Sequence, residues 1–451
     1  MRWLVASMPF LLLTVCSSCR CVRKSRPEIG SSPVGASGTG SVAIETPSVR
    51  ILARTEPTFS LPIAAARVDS MSVVAGLVAT ARVVRAVGLR DGRAAWSTDA
   101  IPEAHFAPDA ELTVLPAARG SAVLWRGGSG ARATSTLVVL GPSGEPLGAP
   151  IEVGAGVCST KTGLAWLEPH PHGKVRVFAK TWAEDSPRDI VFVSPDRAPT
   201  LVCGDATVFV LGEGDDDLTI ETFVVGDSTA RHVVAIRDDD FTDEEREHEA
   251  VPAGDDLEIV RVGAQGAIAT RHIPQAAAPS PWYKLKYALL ADDDVVAVDA
   301  DNDATWMVFT HEVEDACPAA GGVGQRVQGL RIDRRTGVES VLDVASPNCA
   351  ASSGPYWVGT APSAPGGPLI AWVERSTKPR ADKAPIDGLA YRVVGTDGLF
   401  SGHVDIAADA LIEGGCDESG CFAVALTREP NGDDLQPRRI AVLRIPPSDL
   451  K

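Results

Sequence analysis

An all-β fold assembled from one repeated sheet unit is the class this sequence predicts, and three observations carry the prediction. Gly156-Val157-Cys158-Ser159 followed by Leu164-Ala165-Trp166-Leu167-Glu168 returns 45 residues later as Leu201-Val202-Cys203-Gly204 followed by Val208-Phe209-Val210-Leu211-Gly212. Self-similarity at such an interval marks a repeated sheet unit. Short apolar runs, often carrying Trp, recur along the chain, and hairpin signals with Gly or small polar turns recur between them. Aromatic content is only 5%, whereas Gly (42) and Pro (33) are abundant, as many short strands joined by tight turns require.

The N-terminus reads as an export signal. Met1-Arg2 is a short basic head, and Trp3 to Val15 is an apolar run too short to span a bilayer as a mature helix. It ends at Cys16-Ser17-Ser18-Cys19-Arg20-Cys21, which resembles a bacterial lipoprotein signal, in which a small residue precedes a cysteine that is diacylated and becomes the new N-terminus. Cys19 follows Ser17-Ser18 and fits better than Cys16, which follows Val15 and has Leu13 three residues back. An ordinary cleaved signal leaving stray thiols is the plainer alternative. The resemblance implies a lipid-anchored protein on the outer-membrane or periplasmic face of a bacterial envelope. Residues 19–47, rich in Gly, Ser and Pro, hold too little apolar surface to offset their ordering entropy and read as a flexible tether. Signal peptide (1–18), tether (19–47) and a body over 48–451 are the expected organisation.

In the body, the apolar runs are Ala122–Trp125, Leu164–Leu167, Trp306–Phe309, Leu369–Val373 and Phe422–Leu426. Four or five apolar residues without alternation suit strands covered on both faces. Hairpins are expected around Asp91-Gly92, Ser143-Gly144, Gln265-Gly266, Thr336-Gly337 and Asp397-Gly398, because Gly accepts the positive φ of tight hairpin turns. Less regular turns are expected near Asp185-Ser186 and Asp227-Ser228. Strand, polar loop and hairpin repeating every roughly 40 to 70 residues is similar to the blade of a β-propeller. The chain has no WD dipeptide or kelch signature, so the resemblance is to the architecture. Seven blades are expected, six or eight being compatible, because residues 205–273 hold either two units or one with a long excursion. Thr242-Asp243-Glu244-Glu245 matches a capping box and predicts a short acidic helix to Glu249. Arg439–Ile445, stopped by Pro446-Pro447, would close the ring by pairing with Val49–Ala53 and leave no open edge. Two tandem β-sandwiches are the rival fold.

Formal charge is −17, with Asp and Glu exceeding Lys and Arg by 59 to 42. That argues against a nucleic-acid partner, which needs a basic stripe to displace counterions. Six cysteines remain beyond the signal, an even number consistent with disulfides in an exported chain. Sequential pairing is expected: Cys158 with Cys203, Cys317 with Cys349, Cys416 with Cys421. A zinc site or redox role lacks its CxxC pair and its nearby histidine.

Asp299-Ala300-Asp301-Asn302-Asp303 is the best metal candidate, since Asp299, Asp301 and Asp303 could turn hard oxygen ligands toward calcium. Ala304 stands where a calcium loop continues with Gly, and Thr310 where it closes with Glu, so a solvated turn is the plainer reading. The Asp runs at 215–217, 238–240 and 292–294 read as solvated loops that suppress edge-to-edge association. His170-Pro171-His172 lacks a third ligand and reads as a surface loop. No HExxH, phosphate-binding Gly-Lys-Ser/Thr, dinucleotide fingerprint or serine elbow occurs, and Gly127-Gly128-Ser129-Gly130 lacks the elbow spacing. No catalytic residue is assigned. The expected role is binding, with an envelope protein or glycan as partner. The rival is an extracytoplasmic hydrolase or lyase at the central face, for which carboxylates and histidines should line the channel.

Overall fold

The computed structural model describes residues 48–445 with interruptions. Residues 1–47, 52–58, 105–108, 128–134, 184–187, 192–198, 238–244, 349–356, 360–368, 375–387, 428–438 and 446–451, with shorter turns of one to four residues, lie outside the description. Every regular element in the described part is a strand, and the strands form four-stranded antiparallel sheets in chain order.

The first strand, β1 (Ser48–Ile51), belongs to the last sheet. Blade 1 holds β2 (Ser60–Val68), β3 (Met71–Val78), β4 (Val83–Arg90) and β5 (Arg93–Ile101). Blade 2 holds β6 (Glu111–Ala117), β7 (Gly120–Arg126), β8 (Ser135–Leu140) and β9 (Ile151–Val153). Blade 3 holds β10 (Ala155–Ser159), β11 (Gly163–His170), β12 (Lys174–Thr181) and β13 (Arg188–Val191). Blade 4 holds β14 (Thr200–Cys203), β15 (Thr207–Glu213), β16 (Asp217–Val224) and β17 (Asp227–Arg237). Blade 5 holds β18 (Glu245–Ala253), β19 (Asp256–Gly263), β20 (Ala267–Ile273) and β21 (Tyr283–Ala288). Blade 6 holds β22 (Asp294–Ala300), β23 (Ala304–Cys317), β24 (Gly322–Asp333) and β25 (Glu339–Asn348). Blade 7 holds β26 (Trp357–Gly359), β27 (Leu369–Glu374), β28 (Gly388–Gly395) and β29 (Gly398–Val404). Blade 8 holds β30 (Ala408–Asp417), β31 (Gly420–Thr427) and β32 (Arg439–Ile445), and β1 completes it.

The first strands of consecutive blades touch one another in a closed circuit, with β30 meeting β2. The body is therefore one β-propeller, not two sandwiches. Closure is as the terminal patterns require: Ser48 pairs with Arg444, Val49 with Leu443, Arg50 with Val442 and Ile51 with Ala441.

The uninterrupted apolar runs are the second strands, and the hydrophobic cores lie between blades. In β7, Val123 and Trp125 pack with blade 1 residues such as Val73 and Leu77, while Ala122 packs with Leu164 and Trp166 of blade 3. In β11, Ala165 and Leu167 turn the other way, toward Val208 and Val210. Phe209 then packs on Leu257 and Ile259, and Val260 and Val262 on Met307 and Phe309. Because alternate side chains face opposite neighbours and both faces are covered, the period-2 polar alternation of a one-sided strand disappears. Gly88 is needed where the Trp96 ring crosses β4, since a Cβ there would collide with the indole.

The sheets in the described residues number eight, at the top of the expected six-to-eight range. The extra unit lies in the ambiguous segment, where blades 4 and 5 each have a full sheet. The Gln265-Gly266 turn joins the second and third strands of blade 5, whereas Ser143-Gly144 and Thr336-Gly337 join third and fourth strands. A hairpin signal marks a turn and not its place in the blade. The turn expected at Asp227-Ser228 sits at Val225-Gly226, where Gly226 has φ 97° and Asp227 begins β17.

The acidic helix is a correction. Residues 242–244 lie outside the description, but Glu245–Ala253 is strand β18, paired with β19 from Glu245 opposite Gly263 to Ala253 opposite Asp256. A capping box worth about 1 kcal/mol does not outweigh a ladder and an interblade core.

Candidate functional site

The central wall is formed by the first strand of each blade, and its described residues are mainly small or apolar. Ala64–Ala66, Val114-Leu115, Leu201-Val202, Val295, Ala297, Val298, Leu411 and Ile412 all belong to it. Strand β18 departs from this with His248 and Glu249. His248 and Glu249 border a crevice of about 130 Å³ walled by Val260, Val262, Val295 and Val298. Both adjoining first strands break register here, between Glu245 and Glu247 and between Val295 and Ala297.

Two histidine clusters lie in blades 5 and 6. His272 of β20 stands opposite Glu258 of β19 in the ladder. Its Nδ1 is 3.3 Å from Glu258 Oε2 and its Nε2 is 3.2 Å from Asp256 Oδ2, while Arg334 Nη1 comes within 3.4 Å of Nδ1. Asp256 also accepts the Gln275 amide at 2.9 Å, and the Glu258 side chain is only 2% exposed. The two ring nitrogens thus face two different carboxylates and do not converge with them on one point. The cluster ties the strand ends of blade 5 to the Arg334 turn of blade 6. Replacing His272 by Ala should lower stability by about 1–3 kcal/mol, the cost of a buried polar group without its partner. Chemical denaturation checks this: a Glu258→Gln change added to His272→Ala should recover part of the loss, and strict additivity would exclude the coupling.

The second cluster is a dyad. His311 of β23 has its Nδ1 2.7 Å from Oδ1 of Asp293, whose side chain is 1% exposed. Asp293 Oδ2 accepts the Leu290 amide at 2.7 Å. A buried carboxylate on Nδ1 orients the ring and favours the tautomer with its proton on Nδ1, the arrangement of an oriented base or ligand. Arg326 stands opposite His311 across the ladder.

A groove of about 910 Å³ lies between blades 2 and 3. It falls within the roughly 300–1,000 Å³ of ligand clefts. One wall is the segment crossing the end of β8: Gly141 N donates to Glu145 O at 2.8 Å, Leu147 N to Val139 O at 2.8 Å, and Leu147 is left half exposed. The other wall is the end of β12 and its turn, with Lys180, Thr181 and Trp182. The Trp182 indole N–H donates to Thr160 O at 3.1 Å and its backbone N to Thr162 O at 3.1 Å. The ring packs on the core cluster containing Trp166, which itself stacks on Phe178 at 5.8 Å between centroids. Sequence reading missed this groove because its residues come from two blades and carry no motif.

The sequence candidates fall as follows. Cys158 of β10 and Cys203 of β14 are joined by a disulfide between the first strands of blades 3 and 4, with Cα atoms 5.8 Å apart. Cys421 is disulfide-bonded and 1% exposed, and the residue opposite it in the ladder is Cys416. Cys317 ends β23 opposite Gly322, and Cys349 lies outside the described residues, as do Cys16 and Cys19. Asp299 sits in β22 with its carboxylate on the Ala300 amide at 2.8 Å, Asp303 is exposed beyond the turn, and Asp301 is outside the description. Among the described residues, no three His, Cys, Asp or Glu side chains are grouped to hold a metal ion. His170, expected in a loop, is the last residue of strand β11, opposite Lys174, and His172 lies outside the description. No helix among the described residues is long and apolar enough to cross a membrane.

Comparison with known proteins adds the fold alone. No protein-family model matches the chain, and no curated protein does. Solved structures match over most of its length. The WD40 domain of SCAP from fission yeast superposes with a TM-score of 0.49 at 9% identity, covering 90% of this chain and 99% of that one. The β-propeller domain of the Trilobed protease from Pyrococcus furiosus gives 0.41 at 10% identity, with 77% and 98% covered. An oligogalacturonate lyase in complex with manganese gives 0.43 at 10% identity, with 84% and 98% covered.

Proposed function

We propose that this protein is an exported, membrane-tethered propeller that acts by binding an envelope protein or glycan. The observation that carries the reading is the groove of about 910 Å³ between blades 2 and 3, within the size range of ligand clefts, with the Trp182 indole held in its wall. The groove between blades 2 and 3 is the binding site in this reading. A photo-crosslinking residue placed at Leu147 in the full chain, in intact cells, should give a discrete adduct that the same residue at exposed Val338 of blade 6 does not. Identical adducts at both positions, or none at either, would count against it.

Tethering rests on the run ending at Cys19. Replacing Cys16 and Cys19 together by Ser should move the protein from the membrane fraction to the soluble one. Retention of the double variant in membranes would exclude the lipid anchor. Calcium at Asp299, Asp301 and Asp303 is a weaker proposal, and an unchanged melting temperature on adding calcium would remove it.

One observation favours the enzyme reading, the Asp293–His311 dyad. If purified protein depolymerises envelope polysaccharide and His311→Ala abolishes the release of new sugar ends, catalysis replaces binding as the function.

A further inference from the structure

We infer that the groove between blades 2 and 3 takes an uncharged pyranose oligosaccharide, with the Trp182 indole as its stacking platform. The inference rests on the binding reading and names the ligand class for its site. A peptide adding to a sheet needs unpaired backbone groups along a strand edge. At the end of β8 that edge is already covered, because Val139 O accepts Leu147 N, Leu140 bridges to Pro146 and Gly141 N donates to Glu145 O. Along that wall, recognition comes from side chains.

Those side chains have a particular character. Trp182 is held by both its indole N–H and its backbone N, and it packs on the blade 3 core while also lining the groove. With its one polar atom engaged, what it can offer a ligand is a fixed aromatic face. Such a face is electron-rich and attracts the weakly positive C–H groups that a pyranose presents on one side. Glu152 of β9 and Lys180 of β12 line the same groove, and among the described residues neither side chain has a hydrogen-bond or ion-pair partner. One acceptor and one donor of opposite charge suit vicinal hydroxyls, which donate and accept, and give no net charge to select an ionic ligand. Gly120 and Gly148 keep the lining low beside the exposed Leu147. At about 910 Å³ the groove has room for an oligosaccharide rather than one sugar.

The test is titration calorimetry on the full chain purified in detergent, with chitotetraose, cellotetraose and maltotetraose as probes and a proline-rich peptide as the competing class. At least one tetrasaccharide should bind with a Kd of about 1 mM or tighter. Trp182→Phe, which keeps an aromatic face, should stay within about threefold of wild type, while Trp182→Ala should weaken binding more than about tenfold. Glu152→Gln, at an exposed position with no folding role, should weaken it by about tenfold, the size of one lost charge-assisted hydrogen bond. Absence of binding by all three sugars at 10 mM ligand (on the order of the weakest useful affinity), or binding indifferent to Trp182→Ala and Glu152→Gln, overturns the proposal. If the peptide binds instead and Leu147→Asp blocks it, the sugar class is wrong and the binding reading stands. If neither class binds and polysaccharide is cleaved in a His311-dependent way, both fail.

Discussion

Removing the chain after Glu429 should abolish cooperative folding of the whole ring. The cut deletes β32, which lies between β31 and β1 and is paired to both. Ile440, Val442 and Leu443 are buried, and Ile440 and Val442 share a cluster with Val74 and Val87 of blade 1. At roughly 1.5–3 kcal/mol for each large apolar side chain, their loss costs about 5–9 kcal/mol. That is comparable with the about 5–15 kcal/mol by which a native domain is stable at all. The damage propagates because blade 1 loses the face it packs against. Deleting residues 48–51 removes only the edge strand β1, so it should lower the melting temperature without ending cooperativity. Calorimetry and amide exchange on the two truncations distinguish these outcomes. A C-terminal truncation that left melting and amide protection unchanged would falsify the closure.

Reducing or deleting the Cys158–Cys203 bridge should produce the second largest effect. The bond closes a 45-residue loop and joins the central strands of adjacent blades. The loop-entropy relation puts its contribution at about 4 kcal/mol, with measured bridges spanning about 0–5. The Cys158→Ala/Cys203→Ala chain should therefore show a clearly lower denaturant midpoint than the oxidised wild type. A Cys416→Ala/Cys421→Ala chain should lose only about 2 kcal/mol, because a short loop constrains the unfolded chain less. Peptide mapping without reductant settles the partners, including Cys317 with Cys349. Equal midpoints for oxidised wild type and the 158/203 variant would remove the bridge from the stability account.

Much of the architecture was legible before any coordinates. The Trp-bearing runs at Trp125, Trp166 and Trp306 are second strands, and their lack of alternation reflects burial between two blades. Arg439–Ile445 and Val49 were recognisable as partners because each was a strand pattern with no local mate. The equivalence of Cys158 and Cys203 was readable because the repeat places both at the end of a first strand. These properties are local or repeated, and a linear chain displays them directly.

Other features depended on the assembled ring. Gln265-Gly266 looked like the hairpins at 144 and 337, yet it joins a different pair of strands, and only the pairing of β18 to β21 assigned the segment to two blades. Glu245–Glu249 had a helix-start pattern, but the ladder to β19 made it a strand. The Asp293–His311 dyad and the Trp182 groove join residues whose proximity no spacing reveals. Local sequence by itself determined that this protein is a repeating β structure with joined termini and a stapling disulfide, because strand burial, turns and unpaired edges are nearest-neighbour demands. Tertiary structure alone decided the blade count, the fate of the acidic segment and the candidate sites, because those depend on which strands compete for the same partner and on side chains brought together from separate blades.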